Sequence, residues 1–127
     1  MVAKGYNQEE RMDFDETYAP IARLKAIRLL LTFACYMKFK LFQMDVKSAF
    51  LNGFISKEVF VEQPLGFIDQ TLLNHVYKLN KALYGLRQAP RAWYHRLSKF
   101  LLENDFARGN MDKTLFIKRK SNELLVI

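Results

Sequence analysis

Residues 21–37 form a largely apolar run in which, beyond Arg23 near its start, the polar residues Lys25, Arg28 and Thr32 recur at spacings of three and four. On a helix of 3.6 residues per turn, those three side chains fall on one narrow stripe and leave the rest of the circumference apolar. Such a helix is predicted to be mostly buried, so other parts of the fold have to cover it. Pro20 suits a first helical turn and restricts Ala19, with Thr17 upstream as a candidate cap. Cys35, the single cysteine, lies in this run, where a buried unpaired thiol is expected and neither a disulfide nor a zinc framework can be built.

The following segments change period. Residues 41–46 read as a strand entering the core, with Gly53 ending the turn after it. Residues 59–62, stopped at Pro64 and Gly66, and residues 76–79 read as two further strands. Pro90 opens a second long helix. On it Trp93, Leu97, Phe100 and Leu101 are spaced for an inward face, and Arg91, His95 and Lys99 for the opposite one. Residues 114–117 and 123–127 flank the polar turn Lys120-Ser121-Asn122 and predict a hairpin. Helices packed on a small, mainly antiparallel sheet make an α+β layer. No repeat, low-complexity tract or Pro/Gly/Ser linker marks a boundary, and 127 residues, half of them apolar, are sized for one domain. The first ten residues lack the apolar core of a signal peptide. The longest apolar run is broken by Thr32 and bounded by Arg28 and Lys38, so no membrane span is expected.

The net charge of +7 favours an anionic partner, and its distribution is more informative than its sum. Residues 77–100 carry Lys78, Lys81, Arg87, Arg91, Arg96 and Lys99 without a single acid, interleaved with Tyr84, Trp93, Tyr94 and Phe100. Basic residues alternating with aromatics are what nucleic-acid grooves require, although a core aromatic beside a solvated lysine produces the same pattern. By contrast, residues 1–20 set Glu9, Glu10, Asp13, Asp15 and Glu16 against Lys4 and Arg11.

Two segments are more specific than any composition. Gln43-Met44-Asp45-Val46-Lys47-Ser48-Ala49-Phe50-Leu51-Asn52-Gly53 resembles the first palm motif of the reverse transcriptase of copia-type LTR retrotransposons. Leu83-Tyr84-Gly85-Leu86-Arg87-Gln88-Ala89-Pro90-Arg91-Ala92-Trp93-Tyr94 resembles the nucleotide-pocket loop that follows it. Val2-Ala3-Lys4-Gly5-Tyr6, Thr17-Tyr18-Ala19-Pro20-Ile21-Ala22-Arg23 and Glu62-Gln63-Pro64-Leu65-Gly66-Phe67 fit the same family in the same order, so the resemblance covers nearly the whole chain. It implies a fingers-side segment to about residue 40 and palm from about residue 41. It also implies that the strand begun at Glu123 runs on into a Tyr-x-Asp-Asp turn carrying the other catalytic carboxylates, past Ile127.

Family chemistry assigns roles to particular residues. Template-directed polymerisation uses two divalent ions, Mg2+ or Mn2+, about 4 Å apart and held by hard oxygen ligands. The resemblance makes Asp45 the catalytic metal-ligating carboxylate and the backbone carbonyl of Val46 a neighbouring ligand; from the residues alone, a strand-end cap for the turn at Lys47 and Ser48 is the preferred reading of Asp45. Phe50 resembles the steric gate that excludes a ribose 2′-hydroxyl, against the alternative of a core phenylalanine. Small Ala49 beside it leaves room for sugar and triphosphate. Tyr84 and Gly85 correspond to the loop beneath the incoming nucleotide. Arg87, Arg91 and Lys99 are candidates for phosphate contacts, and Lys4 matches the family lysine near the fingers hairpin. Asp112 is expected to brace the turn before Thr114. Asp13, Asp15, Asp69 and Asp105 read as surface charges, and His75 and His95 do not suggest a zinc site.

The resemblance implies partners as well: an RNA or DNA template-primer, deoxynucleotides, and a polyprotein that also supplies protease, integrase and ribonuclease H. It implies a cytoplasmic virus-like particle and a nuclear integration step. The expected function is therefore part of an RNA-directed DNA polymerase, inactive alone because one carboxylate is not a metal cage. The alternative is a catalytically dead module that binds nucleic acid without sequence preference.

Overall fold

The computed structural model describes residues 2–121 and 123–127. Among them are two helices, α1 (Leu24–Tyr36) and α2 (Ala89–Glu103), and five short strands, β1 (Phe60–Glu62), β2 (Val76–Lys78), β3 (Ala107–Arg108), β4 (Phe116–Lys120) and β5 (Glu123–Val126). Every ladder is antiparallel. The expected α+β class is observed, with two small sheets, β1-β2 and β3-β4-β5, in place of one. The chain divides into two compact units, residues 1–19 with 48–96 and residues 20–47 with 97–127.

In the first unit the hairpin β1-β2 pairs Phe60 with Lys78, Val61 with Tyr77 and Glu62 with Val76. Pairing continues irregularly outward: the Leu79 N–H donates to the Val59 carbonyl at 2.8 Å, and Phe54 bridges Lys81. The Ala82 N–H donates to the Gly53 carbonyl at 2.8 Å. This ladder drives Val59, Ala82, Leu86 and Ala89 together into a buried cluster flanked by Ala3, Phe50, Ile55, Leu79, Leu83 and Ala92. Gly53 closes the 3-10 turn Ala49–Asn52 by donating to the Phe50 carbonyl, as expected of the residue that ends this turn. It also lies against α2 so tightly that a Cβ would come within 2.8 Å of the Ala92 carbonyl carbon.

In the second unit the expected hairpin forms as β4-β5, with Phe116 only 2% exposed; Asn122, named in the expected turn, lies outside the described residues. The added strand β3 pairs Ala107 with Ile117 and Arg108 with Phe116. Asp112 braces the approach to β4 as expected. Its carboxylate accepts the Thr114 hydroxyl at 2.7 Å and the Thr114 N–H at 2.9 Å, and these bonds, with a smaller contribution from Arg23, hold its pKa below the ordinary carboxylate value.

Five expectations fail, the last of them only in part. Helix α1 is not buried: of its residues only Ala34 is, and Leu29 is 71% and Phe33 47% exposed. Cys35 is consequently exposed rather than buried. The helix also starts later than Pro20, with extended Arg23 at its N-cap and no side-chain cap. Residues 41–46 form no strand, because a strand exists only in a ladder and no described residue pairs with them; Phe42 and Met44 are 80% and 81% exposed. On α2 the expected faces hold in part: Leu101 is buried, Trp93 and Leu97 are half-buried and Arg91, His95 and Lys99 are exposed, but Phe100 is 54% exposed and Ser98 takes an inward place at 5%. Among the described residues no helix is long and apolar enough to cross a membrane.

Candidate functional site

The loop of residues 84–88 is built from both sides of the first unit. Gly85 has φ +99°, a conformation glycine adopts without the penalty a Cβ imposes. The Ala3 N–H donates to the Tyr84 carbonyl at 2.8 Å, and Gly5 is packed so closely on the Gly85 carbonyl that any Cβ at residue 5 would overlap it. Farther along, Gln8 uses both ends of its amide. Its Oε1 accepts the Arg87 N–H at 2.9 Å, and its Nε2 donates to Gln88 Oε1 at 3.0 Å. Gln88 is 8% exposed and passes the chain on, donating to the Asp13 carbonyl at 3.2 Å. A buried amide bonded at both ends fixes its loop, since breaking either bond strands a polar group away from water.

On this base Tyr84, 64% exposed, stacks on Phe50 with ring centroids 5.7 Å apart and planes at 25°. Phe50 is half-buried and packs against the core cluster, and half-buried Ala49 opens the 3-10 turn beside it. The structure thus brings together Phe50, Tyr84 and Gly85, which the sequence motifs place far apart along the chain.

The candidate phosphate-binding cations are engaged to different degrees. Arg91 ion-pairs with Glu16 and donates to the Tyr18 carbonyl at 3.0 Å. Arg87 lies over the buried Phe14 ring at 5.5 Å, and Lys99 faces Glu103 at 3.8 Å along α2. Lys4 is exposed ahead of the 3-10 turn Gly5–Asn7. The acidic N-terminal segment therefore lies on part of the basic surface. Asp15 also pairs with Lys57 at 2.9 Å, while Asp105 pairs with Lys118 at 3.5 Å in the second unit.

Asp45 and Val46 belong to the second unit, in the exposed segment without a ladder. No described residue hydrogen-bonds or ion-pairs with the Asp45 side chain, so it does not cap the turn at Lys47 and Ser48. Among the described residues no group of three or more His, Cys, Asp or Glu could hold a metal ion. One solvated carboxylate and a neighbouring carbonyl do not fit a two-ion set, which needs several hard oxygen ligands per ion.

The order of the motifs agrees with comparisons to known proteins. The family model described as "Reverse transcriptase (RNA-dependent DNA polymerase)" matches residues 1–127. The chain belongs to the reverse transcriptase family of copia-type retrotransposons. It is 42% identical over 98% of its length to the retrovirus-related Pol polyprotein from transposon RE1 of Arabidopsis thaliana, and 40% identical over 98% to that from transposon RE2 of the same plant. It is 38% identical over 100% to the Pol polyprotein from transposon TNT 1-94 of Nicotiana tabacum. The chain spans 8%, 9% and 10% of those relatives, so it corresponds to a small part of each. No solved structure matches it significantly.

Within this reverse transcriptase segment, the Gln8–Gln88 amide pair escaped the sequence reading. The two residues are eighty positions apart and neither belongs to a residue class that signals chemistry. The only available signal was the abrupt polarity of Gln88 between Leu86 and Ala89, both of which are buried.

Proposed function

We propose that this chain supplies the deoxynucleotide-binding floor and part of the template-facing surface of an RNA-directed DNA polymerase that adds deoxynucleotides to a primed template. Alone it does not polymerise. The observation that carries this reading is the Phe50–Tyr84 stack on a loop tied down at Tyr84, Gly85, Arg87 and Gln88. A gate against the 2′-hydroxyl works only if its ring cannot swing away, because rejection rests on overpacking the wrong sugar. Phe50 is backed by the core and covered on one face by Tyr84, which meets that requirement.

In this role Ala49 leaves space for the sugar, Gly85 lets backbone approach the nucleotide, and Arg87, Arg91 and Lys99 contact phosphates without sequence preference. Lys4 contributes on the fingers side. Asp45 supplies one carboxylate of the catalytic set, with the Val46 carbonyl beside it, and the integrase and ribonuclease H of the same polyprotein act as partners. The rival reading, a nucleic-acid-binding module without catalysis, is favoured for the isolated chain by the single exposed carboxylate at Asp45.

Primer extension with the isolated chain in magnesium or manganese is expected to show no template-dependent incorporation. Robust extension abolished by Asp45→Asn overturns this. The pocket itself is tested by replacing the matching segment of an active relative with residues 1–127. Phe50→Val in that chimera is expected to admit ribonucleotides while deoxynucleotide incorporation survives, and Asp45→Asn to abolish both. Equal loss of both sugars with Phe50→Val makes the ring core packing and no gate.

A further inference from the structure

A second aromatic lies outside the nucleotide pocket and, unlike the buried Phe14 beneath Arg87, it is exposed. Phe54 is 62% exposed although it is a large apolar side chain. Two cations attend it: the Lys81 ammonium and the Arg96 guanidinium, each 5.9 Å from the ring centroid. The backbone fixes all three. Phe54 and Lys81 form an antiparallel bridge, and close packing of Gly53 on Ala92 and Trp93 of α2 brings Phe54 to the turn that carries Arg96. Among the described residues neither Lys81 nor Arg96 forms an ion pair, whereas Arg91, Lys57, Lys78 and Lys99 are each matched with a carboxylate. An exposed ring held open between two unmatched cations presents a π-face and two positive charges at once. Exposed cation–π contacts are worth only about 0.5–1 kcal/mol, so either cation can exchange the ring for a phosphate.

We propose that Phe54, Lys81 and Arg96 form a contact site for single-stranded nucleic acid, in which a base stacks on the Phe54 ring while Lys81 and Arg96 take the flanking phosphates. The site rests on the reading that this chain faces a template, and it adds a stacking contact to the phosphate contacts of Arg87, Arg91 and Lys99. A single strand is the occupant because its bases are free to splay and stack, while a duplex keeps its π-faces covered. Stacking is indifferent to base identity, so the site tracks a strand without reading it.

The test uses the full chain with a labelled oligothymidylate, an abasic oligomer of the same length and a duplex, over a salt series. Phe54→Ala is expected to weaken oligothymidylate binding about tenfold and to leave the abasic oligomer unchanged, and Phe54→Tyr to restore binding. Lys81→Ala with Arg96→Ala is expected to reduce the salt slope by about 1.4, the share of two phosphates on a single strand. In Phe54→Trp, stacking is expected to quench the added tryptophan on oligothymidylate but not on the abasic oligomer, with Trp93 in the unaltered chain as the baseline. If Phe54→Ala binds normally while joint replacement of Arg87, Arg91 and Lys99 abolishes binding, the site is wrong and the template-facing reading survives. Equal weakening on the abasic oligomer, or a preference for duplex independent of Phe54, also overturns the site. Absence of binding to every oligomer overturns the site and the template-facing reading together.

Discussion

The unit of residues 1–19 and 48–96 and the unit of residues 20–47 and 97–127 both contain long apolar segments, and they use them differently. In the first, short strands, small alanines and three close-packed glycines, Gly5, Gly53 and Gly85, draw Val59, Ala82, Leu86 and Ala89 into one contiguous core that carries the loop of residues 84–88. In the second, Phe116 and Leu101 are buried near the hairpin and α2, but α1 and the segment leading to Asp45 keep their large apolar side chains in water. Apolar content is thus no guide to burial by itself. Both units contain ladders, β1-β2 in the first and β3-β4-β5 in the second; residues 53–55 and 59–62 join one, and residues 41–46 join none.

The sharpest way to break this comparison is at the close approach of Gly5 to Gly85. Gly5→Ala places a Cβ against a backbone carbonyl that cannot move without releasing the loop of residues 84–88. It is expected to destabilise the first unit by about 3 kcal/mol or more, read from urea unfolding followed through Trp93, the single tryptophan. A normal midpoint means the two strands of chain are not in contact as described.

Paired truncations test the contrast directly. Leu86→Ala, at 5% exposure, is expected to cost about 3 kcal/mol, while Leu29→Ala on α1, at 71%, is expected to stay within about 0.5 kcal/mol. Equal costs would show that α1 is buried in solution and that the units do not differ. A smaller effect is expected from Gln88→Leu, which removes the donor to the Asp13 carbonyl and the acceptor for Gln8, at about 1–2 kcal/mol. If Gln8→Leu adds nothing further, the two amides act as one unit, as a double-mutant cycle would reveal.

The smallest effect is acid-dependent and gives each unit its own probe. Asp69 in the first and Asp112 in the second each accept the hydroxyl and N–H of a threonine two residues on, Thr71 and Thr114, and both carboxyls are held below their ordinary pKa chiefly by those bonds. A depressed folded pKa means the unfolded chain binds protons first. The contribution is therefore full above the ordinary carboxylate range and is lost as pH falls through the folded pKa. Side-chain NMR titration is expected to find both carboxyls titrating below an ordinary aspartate, and Thr114→Val to return Asp112, but not Asp69, toward the usual value.

Much of the framework was legible because it depends on local signals. The strands β1 and β2, the β4-β5 hairpin, the start of α2 near Pro90, the turn ended by Gly53 and the brace at Asp112 all follow from turn residues and short-range periodicity, which act before distant parts of a chain meet. The family was legible for a different reason: ordered motifs record a shared ancestry that no single contact contains.

What could not be read locally is whatever depends on residues far apart in the chain. The stripe on α1 specified an amphipathic helix but not whether a surface covers it, because burial depends on another element arriving. Cys35 is exposed for the same reason. Residues 41–46 have the composition of a strand and lack the hydrogen-bonding partner that makes one. The Phe50–Tyr84 stack, the Gln8–Gln88 amide pair, the matching of Arg91 to Glu16 and the exposed Phe54 between Lys81 and Arg96 exist only once the chain has closed on itself. Residue types named the chemistry available to this segment. Which cations remain free to use it was settled by long-range pairing, since a charge matched with a carboxylate at close range has less attraction left for a phosphate.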